Sequence, residues 1–533
     1  MKPLCLGRVG FTFVVLAVVA AALALRLPQL DRRPMHGDEA NQAVRTGMLL
    51  ERGVYHYDPT DHHGPVLYFA ALPFCRLQTA SFAETTEWNY RLVPVFFSCL
   101  TLLLMTGLGL KREGGLFAGR GGMLAALLMT AFSAPMVYYS RFFIQESMFV
   151  TFLTGMLVCA VRYVRARFVL DVQSRAPMWY AAGFGACAGL AAATKETVVL
   201  SLAAAAVAAV AAAGPSRLWR AWRTRDALVA VGAAALVAVI FFSSFFTHPQ
   251  GVYDALFSTV QAYLSRATDV PEHQHPWNFY LKILFWFKYG KGPVWSEAML
   301  LLPAALAVLT ACWPRNGGRL VATHQRWVRF VAVYTVVLTA MYSAIPYKTP
   351  WCTLSFLHGF ILLAGVGIGA VVEWLDGCSK KIRRAGLCLT VIFVLATLQR
   401  QFSQAVRASY TLPADPRNPF VYAHTGVDAL NLVAAIEQAA AAAQGTDTAV
   451  AVAVPTSDTW PLPWYLRKYR QVGYWTRVDE IPDDFRPVIV IAAADQGDIA
   501  DERFGQGKRA SFFGIRPGVL LNLFVPASKP LDN

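Results

Sequence analysis

Five stretches, far apart in the chain, place acids, imidazoles and cations beside apolar runs. They are His36-Gly37-Asp38-Glu39; Asp58, Asp61, His62 and His63; Tyr138-Tyr139-Ser140-Arg141 with Gln145-Glu146; Thr194-Lys195-Glu196; and Tyr347-Lys348-Thr349. A carboxylate on a short turn takes a proton from a hydroxyl or amine nucleophile, and a second carboxylate or an imidazole holds a divalent cation. Arginine and lysine next to apolar surface fix a lipid phosphate and stabilise the charge that grows on it as it leaves. The set suits a substrate whose chain lies in a bilayer and whose phosphate lies at the interface. Each stretch also has a plainer reading. Asp38-Glu39 serves as the cap of a helix running from Ala40 to Leu50, and His62-His63 as a polar turn before Pro65. Arg141 with Glu146 makes a structural ion pair, while Lys195-Glu196 and Lys348 snorkel. His248, His273 and His275 read as loop surface.

The elements that must bring such stretches to one face are membrane helices. Of the 533 residues 56% are apolar and 15% charged, too little polar surface for soluble domains of that size. Runs of roughly 17–22 residues without an internal charge recur, each long enough for a hydrocarbon layer of about 30 Å. The first is Val9 to Leu27, and the others centre on 91–110, 116–137, 147–164, 178–193, 197–213, 227–246, 297–313, 328–345, 352–373 and 386–402. This predicts a polytopic α-helical membrane protein of about eleven transmembrane helices. The formal charge of +15 lies largely in alternate gaps, such as Arg162, Arg165, Arg167 and Arg175. That pattern marks cytoplasmic anchors on anionic headgroups and argues against nucleic acid. It puts the N-terminus in the cytoplasm, the five stretches outside, and everything beyond about residue 403 in the periplasm or at the external surface of a cytoplasmic (inner) membrane.

A transmembrane domain is thus expected over residues 1–402, with external loops at 31–89 and 247–290. Pro65 to Leu77 and Trp277 to Tyr289 read as helices lying in the interface. From 403 to 533 the pattern becomes that of a small α/β domain, with a helix at Asp428 to Ala443 and strands at 449–454, 487–493 and 519–525. It carries no GxGxxG or GxxxxGK[ST], so no nucleotide cofactor is assigned. The nine cysteines form no CxxC pair and read as small core residues.

The order of these motifs resembles the GT-C superfamily of membrane glycosyltransferases, which includes dolichyl-phosphate-mannose protein mannosyltransferases and lipid A aminoarabinose transferases. His36-Gly37-Asp38-Glu39-Ala40, His63-Gly64-Pro65, Lys195-Glu196-Thr197, Tyr347-Lys348-Thr349-Pro350-Trp351 and Trp460-Pro461-Leu462-Pro463-Trp464-Tyr465 look more specifically like a subfamily linked to flippase activity in archaeal N-glycosylation. The superfamily resemblance covers about residues 9–400 and implies an inverting transfer from a polyprenyl-phosphate sugar to a glycan, lipid or protein acceptor. Asp38 then looks like the catalytic base, with Glu39 shaping the site beside it. Arg141, Lys195 and Lys348 look like phosphate-holding cations, with Tyr139, Glu196 and Tyr347 as further substrate contacts. Glu146, His62 and His63 look like holders of a divalent metal (Mg, Mn or Zn). The aminoarabinose transferases have Glu-Lys-Pro where this chain has His62-His63, a departure that bears on both the metal and the phosphate. The competing reading is a flippase, or an accessory to one, that binds lipid-linked sugars without transferring them. It needs a route across the membrane, and no inverted repeat or mid-span acid supplies one. A third is an assembly protein acting through its external tail.

Overall fold

The computed structural model describes residues 7–59, 63–79, 81–170, 174–216, 223–259, 273–312 and 318–527. Every apolar run is helical, since backbone in hydrocarbon must satisfy its own hydrogen bonds. α1 (Arg8–Arg26) leads into a polar segment containing α2 (Gly37–Arg52) and α3 (Val66–Arg76). There follow α4 (Glu87–Met105), α5 (Arg120–Phe132), α6 (Ala134–Tyr139), α7 (Glu146–Val164), α8 (Ala176–Ala192), α9 (Val198–Ala213) and α10 (Thr224–Phe242). After the short α11 (Phe279–Phe285) come α12 (Leu301–Cys312), α13 (Arg319–Ala344), α14 (Thr353–Asp376) and α15 (Lys380–Val406).

Among the described residues, seven helical segments of at least 18 residues are long and apolar enough to cross a membrane, which corrects the expected count of about eleven. The remaining runs form α5, α8, α9 and α12, of 13, 17, 16 and 12 residues. Run length overstated them because polar or proline-bearing turns cut in. α5 stops at Ser133, ahead of Pro135, and the buried Glu297 fills the break, accepting from Ser133 Oγ at 3.0 Å and from Ala134 N at 3.1 Å. The short interfacial helix expected at Pro65 to Leu77 is α3. The one expected at Trp277 to Tyr289 is limited to α11, after which Phe287 and Trp295 exchange backbone hydrogen bonds of 2.9 and 3.0 Å.

The gaps between helices sort into two ends. At one, Lys111 pairs with Glu373 at 2.5 Å, Arg165 with Glu113 at 3.1 Å, and Arg319 donates to Phe168 O at 2.9 Å. At the other, Lys195 pairs with Glu146, His63 with Glu196 at 2.8 Å, and Lys348 N donates to His273 O at 2.9 Å. The arginine-rich gaps and the gaps bearing acids, imidazoles and aromatics are therefore separated by the length of the bundle, and the shorter helices run between the same ends. α14 forms the axis, and every residue from Ile361 to Ala370 along it is buried. α8 and α10 meet backbone to backbone, since a Cβ on Gly185 would lie 1.9 Å from Ala230 O.

The expected boundary at 402/403 falls inside α15, which continues as a wider turn over Arg407–Thr411. The chain then folds back across the acid-bearing end, where Tyr138 Oη donates to Pro413 O at 2.7 Å and Tyr139 Oη to Phe420 O at 2.9 Å. Beyond it lie α16 (Asp428–Ala442) and a five-stranded sheet made of β1 (Val450–Ala453), β2 (Val472–Trp475), β3 (Ile489–Ala493), β4 (Lys508–Arg516) and β5 (Val519–Pro526). The order is β2-β1-β3-β5-β4, parallel across the first three and antiparallel beyond. β1 and β3, continuous in apolar residues and buried throughout, and β5, whose apolar run alternates in burial, are the strands that sequence reveals. β2 and β4 escape it because both are largely solvent-facing. The tail is fastened by the fully buried Trp464, which donates to Glu87 Oε1 at 2.9 Å, and by Tyr465, whose Oη accepts from Met35 N at 2.9 Å.

Candidate functional site

The site begins at the first turn of α2. The cap is His36 and not Asp38: its Nδ1 accepts from Asp38 N at 3.1 Å, while Glu39 reaches back to accept from His36 N at 3.1 Å. The same ring's Nε2 lies 2.9 Å from Tyr422 O, to which it is placed to donate. A helical step of about 100° between neighbours then sends the two acids in different directions. Glu39 points into the protein, 0% exposed, and accepts from Arg91 Nε at 2.8 Å, Arg91 Nη2 at 2.9 Å, Arg33 Nη2 at 2.9 Å and Phe143 N at 2.9 Å. Burial alone would raise its carboxyl, but Arg33 and Arg91 outweigh that and hold it down at about 2. Asp38 points out, its side chain 50% exposed and 3.9 Å from His36 Nδ1. Because that nitrogen already accepts a hydrogen bond from the backbone, the Asp38 carboxylate keeps its lone pairs for a proton arriving from outside.

A cationic wall stands at the same end. Glu146 opens α7, and its Oε1 accepts from Lys195 Nζ, which also lies 3.6 Å from Cys352 Sγ. Both side chains are nearly buried, and Glu146 Oε2 has no hydrogen-bond partner among the described residues. Lys348 donates Nζ to the carbonyls of Ile345 and of His275, the latter at 3.1 Å. Glu196 Oε2 meets His63 Nδ1 at 2.8 Å, locking the loop before α3 against the α8–α9 turn.

Aromatic side chains join the two parts. Trp351 packs between His36 (ring centroids 5.9 Å apart), Tyr139 (6.4 Å) and Tyr422 (5.8 Å). His273 lies 4.8 Å from the Tyr347 ring and 5.5 Å from that of Tyr422, to whose hydroxyl it is hydrogen-bonded. The structure thus brings Asp38, Tyr139, Glu146, Lys195, Tyr347 and Lys348 to one end, with His63 and Glu196 adjoining. Arg141 stands apart. Its guanidinium donates to Arg26 O at 2.5 Å, Gln29 O at 3.2 Å and Tyr410 Oη at 3.1 Å, tying α1 to the end of α15, and the ion pair considered between Arg141 and Glu146 gives way to Lys195–Glu146. His62 lies outside the described residues. His273, His275 and Tyr422 belong to the site without having been chosen from sequence, and His36 and Trp351, quoted there within motifs, were given no role. The two loop histidines read as surface, and nothing near residue 422 signals that it returns to this end.

Of the three residues expected to hold a metal, two are described, and each already has a partner. Glu146 is taken by a lysine and His63 by Glu196, and no group of three or more His, Cys, Asp or Glu side chains is arranged to share an ion among them.

No protein-family model matches the chain, and no curated protein matches its sequence. Solved structures do match. ArnT from Cupriavidus metallidurans bound to undecaprenyl phosphate aligns with a TM-score of 0.63 and 14% identity, over 97% of this chain and 99% of that one. AglB, the archaeal oligosaccharyltransferase from Archaeoglobus fulgidus, in complex with an inhibitory peptide and a dolichol-phosphate, aligns with a TM-score of 0.55 and 11% identity, over 98% of this chain and 75% of that one. The likeness shows a shared fold over nearly the whole chain, a polytopic helical domain followed by a small β-sheet domain.

Proposed function

We propose, from the fold shared with these structures, that the chain is an inverting glycosyltransferase that moves a sugar from a polyprenyl-phosphate donor to an acceptor hydroxyl at the outer face of the cytoplasmic membrane. One observation carries the reading. Of two adjacent acids, Glu39 is sealed into the framework while Asp38 keeps a half-exposed carboxylate at the end where Lys195 and Lys348 stand. The architecture of two lipid-phosphate-binding structures at matching chain coverage supports it.

In this reading the acceptor oxygen attacks the anomeric carbon, Asp38 takes the hydroxyl proton, and the bond from that carbon to the phosphate oxygen breaks. The electron pair departs with polyprenyl phosphate, so one attack from the opposite side inverts the centre and no covalent enzyme intermediate is needed. An ammonium has three donors. Lys195 uses two on Glu146 and Cys352, and Lys348 two on carbonyls, which leaves one N–H of each for a phosphate oxygen. Cations fixed beforehand in a site poor in water stabilise the charge gathering on the leaving group at little reorganisation cost. Glu146 keeps Lys195 in position, and Tyr139 and Tyr347 shape the walls. Arg141 and Glu39 support the frame and do not touch substrate.

The test uses full-length protein in nanodiscs, a panel of undecaprenyl-phosphate hexoses and pentoses, and envelope glycolipids as acceptors, following release of undecaprenyl phosphate. Wild-type protein releases it from at least one donor, and Asp38→Asn slows release by about 10²–10⁴-fold while still binding undecaprenyl phosphate. Wild-type turnover in Asp38→Asn would remove that residue as base. Translocation of a labelled donor without release would favour the flippase reading.

A further inference from the structure

The carboxyl end of β1 leads toward the membrane domain, since Trp460 in the loop beyond it meets Gly37 of α2. In open sheets with parallel strands, ligands bind outside those ends, where the strand order reverses. Here β2 lies on one side of β1 and β3 on the other, so the reversal falls between β1 and β3. The loop leaving β1 comes down on the first residue of α2: a Cβ on Gly37 would sit 3.5 Å from Trp460 Cβ and 4.0 Å from Arg516 Nη1. Arg516, at the end of β4, donates Nη2 to Asp458 Oδ1 at 2.7 Å and to Ser457 O at 2.5 Å. Its Nη1 has no hydrogen-bond partner among the described residues and stands beside the residue that precedes Asp38. Asp458 is 35% exposed and Arg516 19%, so the pair is held by the protein yet open to a ligand.

We propose that Trp460, Asp458 and Arg516 form an acceptor subsite for a carbohydrate, a pyranose ring resting on the indole while a further hydroxyl reaches Asp38. This deepens the glycosyltransferase reading and rests on it. A carboxylate and a guanidinium fixed side by side present acceptors and donors together, matching neighbouring hydroxyls that are each both donor and acceptor. The indole supplies an apolar face for the ring's C–H groups. A peptide would instead add to an unpaired strand edge. The strands that meet here, β1 and β3, have neighbours on both sides. The subsite also accounts for the tail's close fastening to Glu87 and Met35, because an acceptor held on the sheet must keep its register with a base on α2.

Full-length protein in nanodiscs is mixed with maltotriose, mannotriose or chitotriose, and binding is read by saturation-transfer NMR on the sugar, with undecaprenyl phosphate binding measured in the same samples. At least one trisaccharide binds the wild type. Its affinity falls by about ten-fold or more, the size of one charge-assisted hydrogen bond, in Asp458→Ala and Trp460→Leu. It is unchanged in Asp447→Ala, whose partner Arg470 sits at the far end of the sheet. If Asp458→Ala also loses the lipid, its fold has gone, and Arg516→Lys decides in its place, keeping the charge while losing the planar fork. Protein that holds the lipid but none of the three sugars overturns this inference alone, as does saturation of a threonine-bearing hexapeptide with none on the sugars. Unchanged affinity in the site variants also overturns it. Protein that holds no undecaprenyl phosphate overturns the underlying function as well.

Discussion

Changing the carboxylates at 38 and 39 to amides, one at a time, separates chemistry from architecture. Glu39→Gln preserves shape but removes the charge from a position that is 0% exposed and contacts Arg33 and Arg91. Two guanidinium groups are then left buried without their counter-charge, a loss of about 3–5 kcal/mol. Asp38→Asn alters a half-exposed group whose neighbour His36 is already satisfied, so stability should stay within about 0.5 kcal/mol. Turnover should nonetheless fall by the 10²–10⁴-fold typical of a lost general base. The assay pairs thermal unfolding of purified full-length protein, followed by intrinsic fluorescence, with release of polyprenyl phosphate. Acidity adds a check of sign. The Glu39 carboxyl is held at about 2 against an ordinary 4.5, so its contribution is complete above 4.5 and disappears as pH falls from there through 2. The unfolding temperature of the wild type should therefore gain nothing from this group between neutral and alkaline pH. Glu39→Gln that melts with the wild type but does not turn over would place Glu39 in the chemistry and refute the division.

Lys195→Met leaves Glu146 buried without its cation and should lower stability by about 3–5 kcal/mol, whereas Lys195→Met with Glu146→Leu regains most of that loss and still transfers no sugar; unfolding midpoints set against turnover decide. Gly64→Ala should destabilise by about 1–3 kcal/mol, because its Cβ would lie 2.2 Å from the backbone oxygen of Ala193, and a restored midpoint after lengthening the 193–197 turn would locate the cause. His424 is kept neutral by burial, reinforced by His36 and Arg33, with its pKa well below 6.5. Its contribution is therefore full above 6.5 and is lost progressively as pH falls below it, so the tail should become more sensitive to protease near pH 5 than at neutral pH. Equal digestion at both would remove His424, which lies 2.8 Å from Tyr138 Oη, from the fastening of the tail.

The acids and lysines that meet at one end of the bundle were readable from type, because ionisable groups beside apolar runs are costly and are kept for a reason, whereas Arg141, chosen on the same ground, stands apart. The division of labour between Asp38 and Glu39 was not. It depends on helical phase and on Arg33 and Arg91, which lie 6 and 52 positions away from Glu39. His273 and Tyr422 are 149 residues apart, and no local pattern announces their contact. Helix lengths were overstated for a different reason. Hydropathy counts apolar residues through a break such as Ser133-Ala134-Pro135, while the backbone stops where its hydrogen bonds pass to Glu297. In the tail, the strands with continuous apolar runs, β1, β3 and β5, were legible, while β2 and β4, with glycine and charged residues and little full burial, were not.

The brevity of α8 and α9 has a consequence for the lipid around them. At about 1.5 Å per residue, helices of 17 and 16 residues reach roughly 25 Å, some 5 Å less than a hydrocarbon layer of about 30 Å. A bilayer meets such a mismatch by thinning, so a dimple should form beside the pair. The turn joining them carries Lys195, and headgroups sinking into that dimple bring phosphorus down to the ammonium instead of requiring the protein to reach up. Host membrane thickness then becomes a throttle: nanodiscs of short-chain phospholipid should support faster turnover than those of long-chain phospholipid, and equal rates in both would show that the depression does nothing.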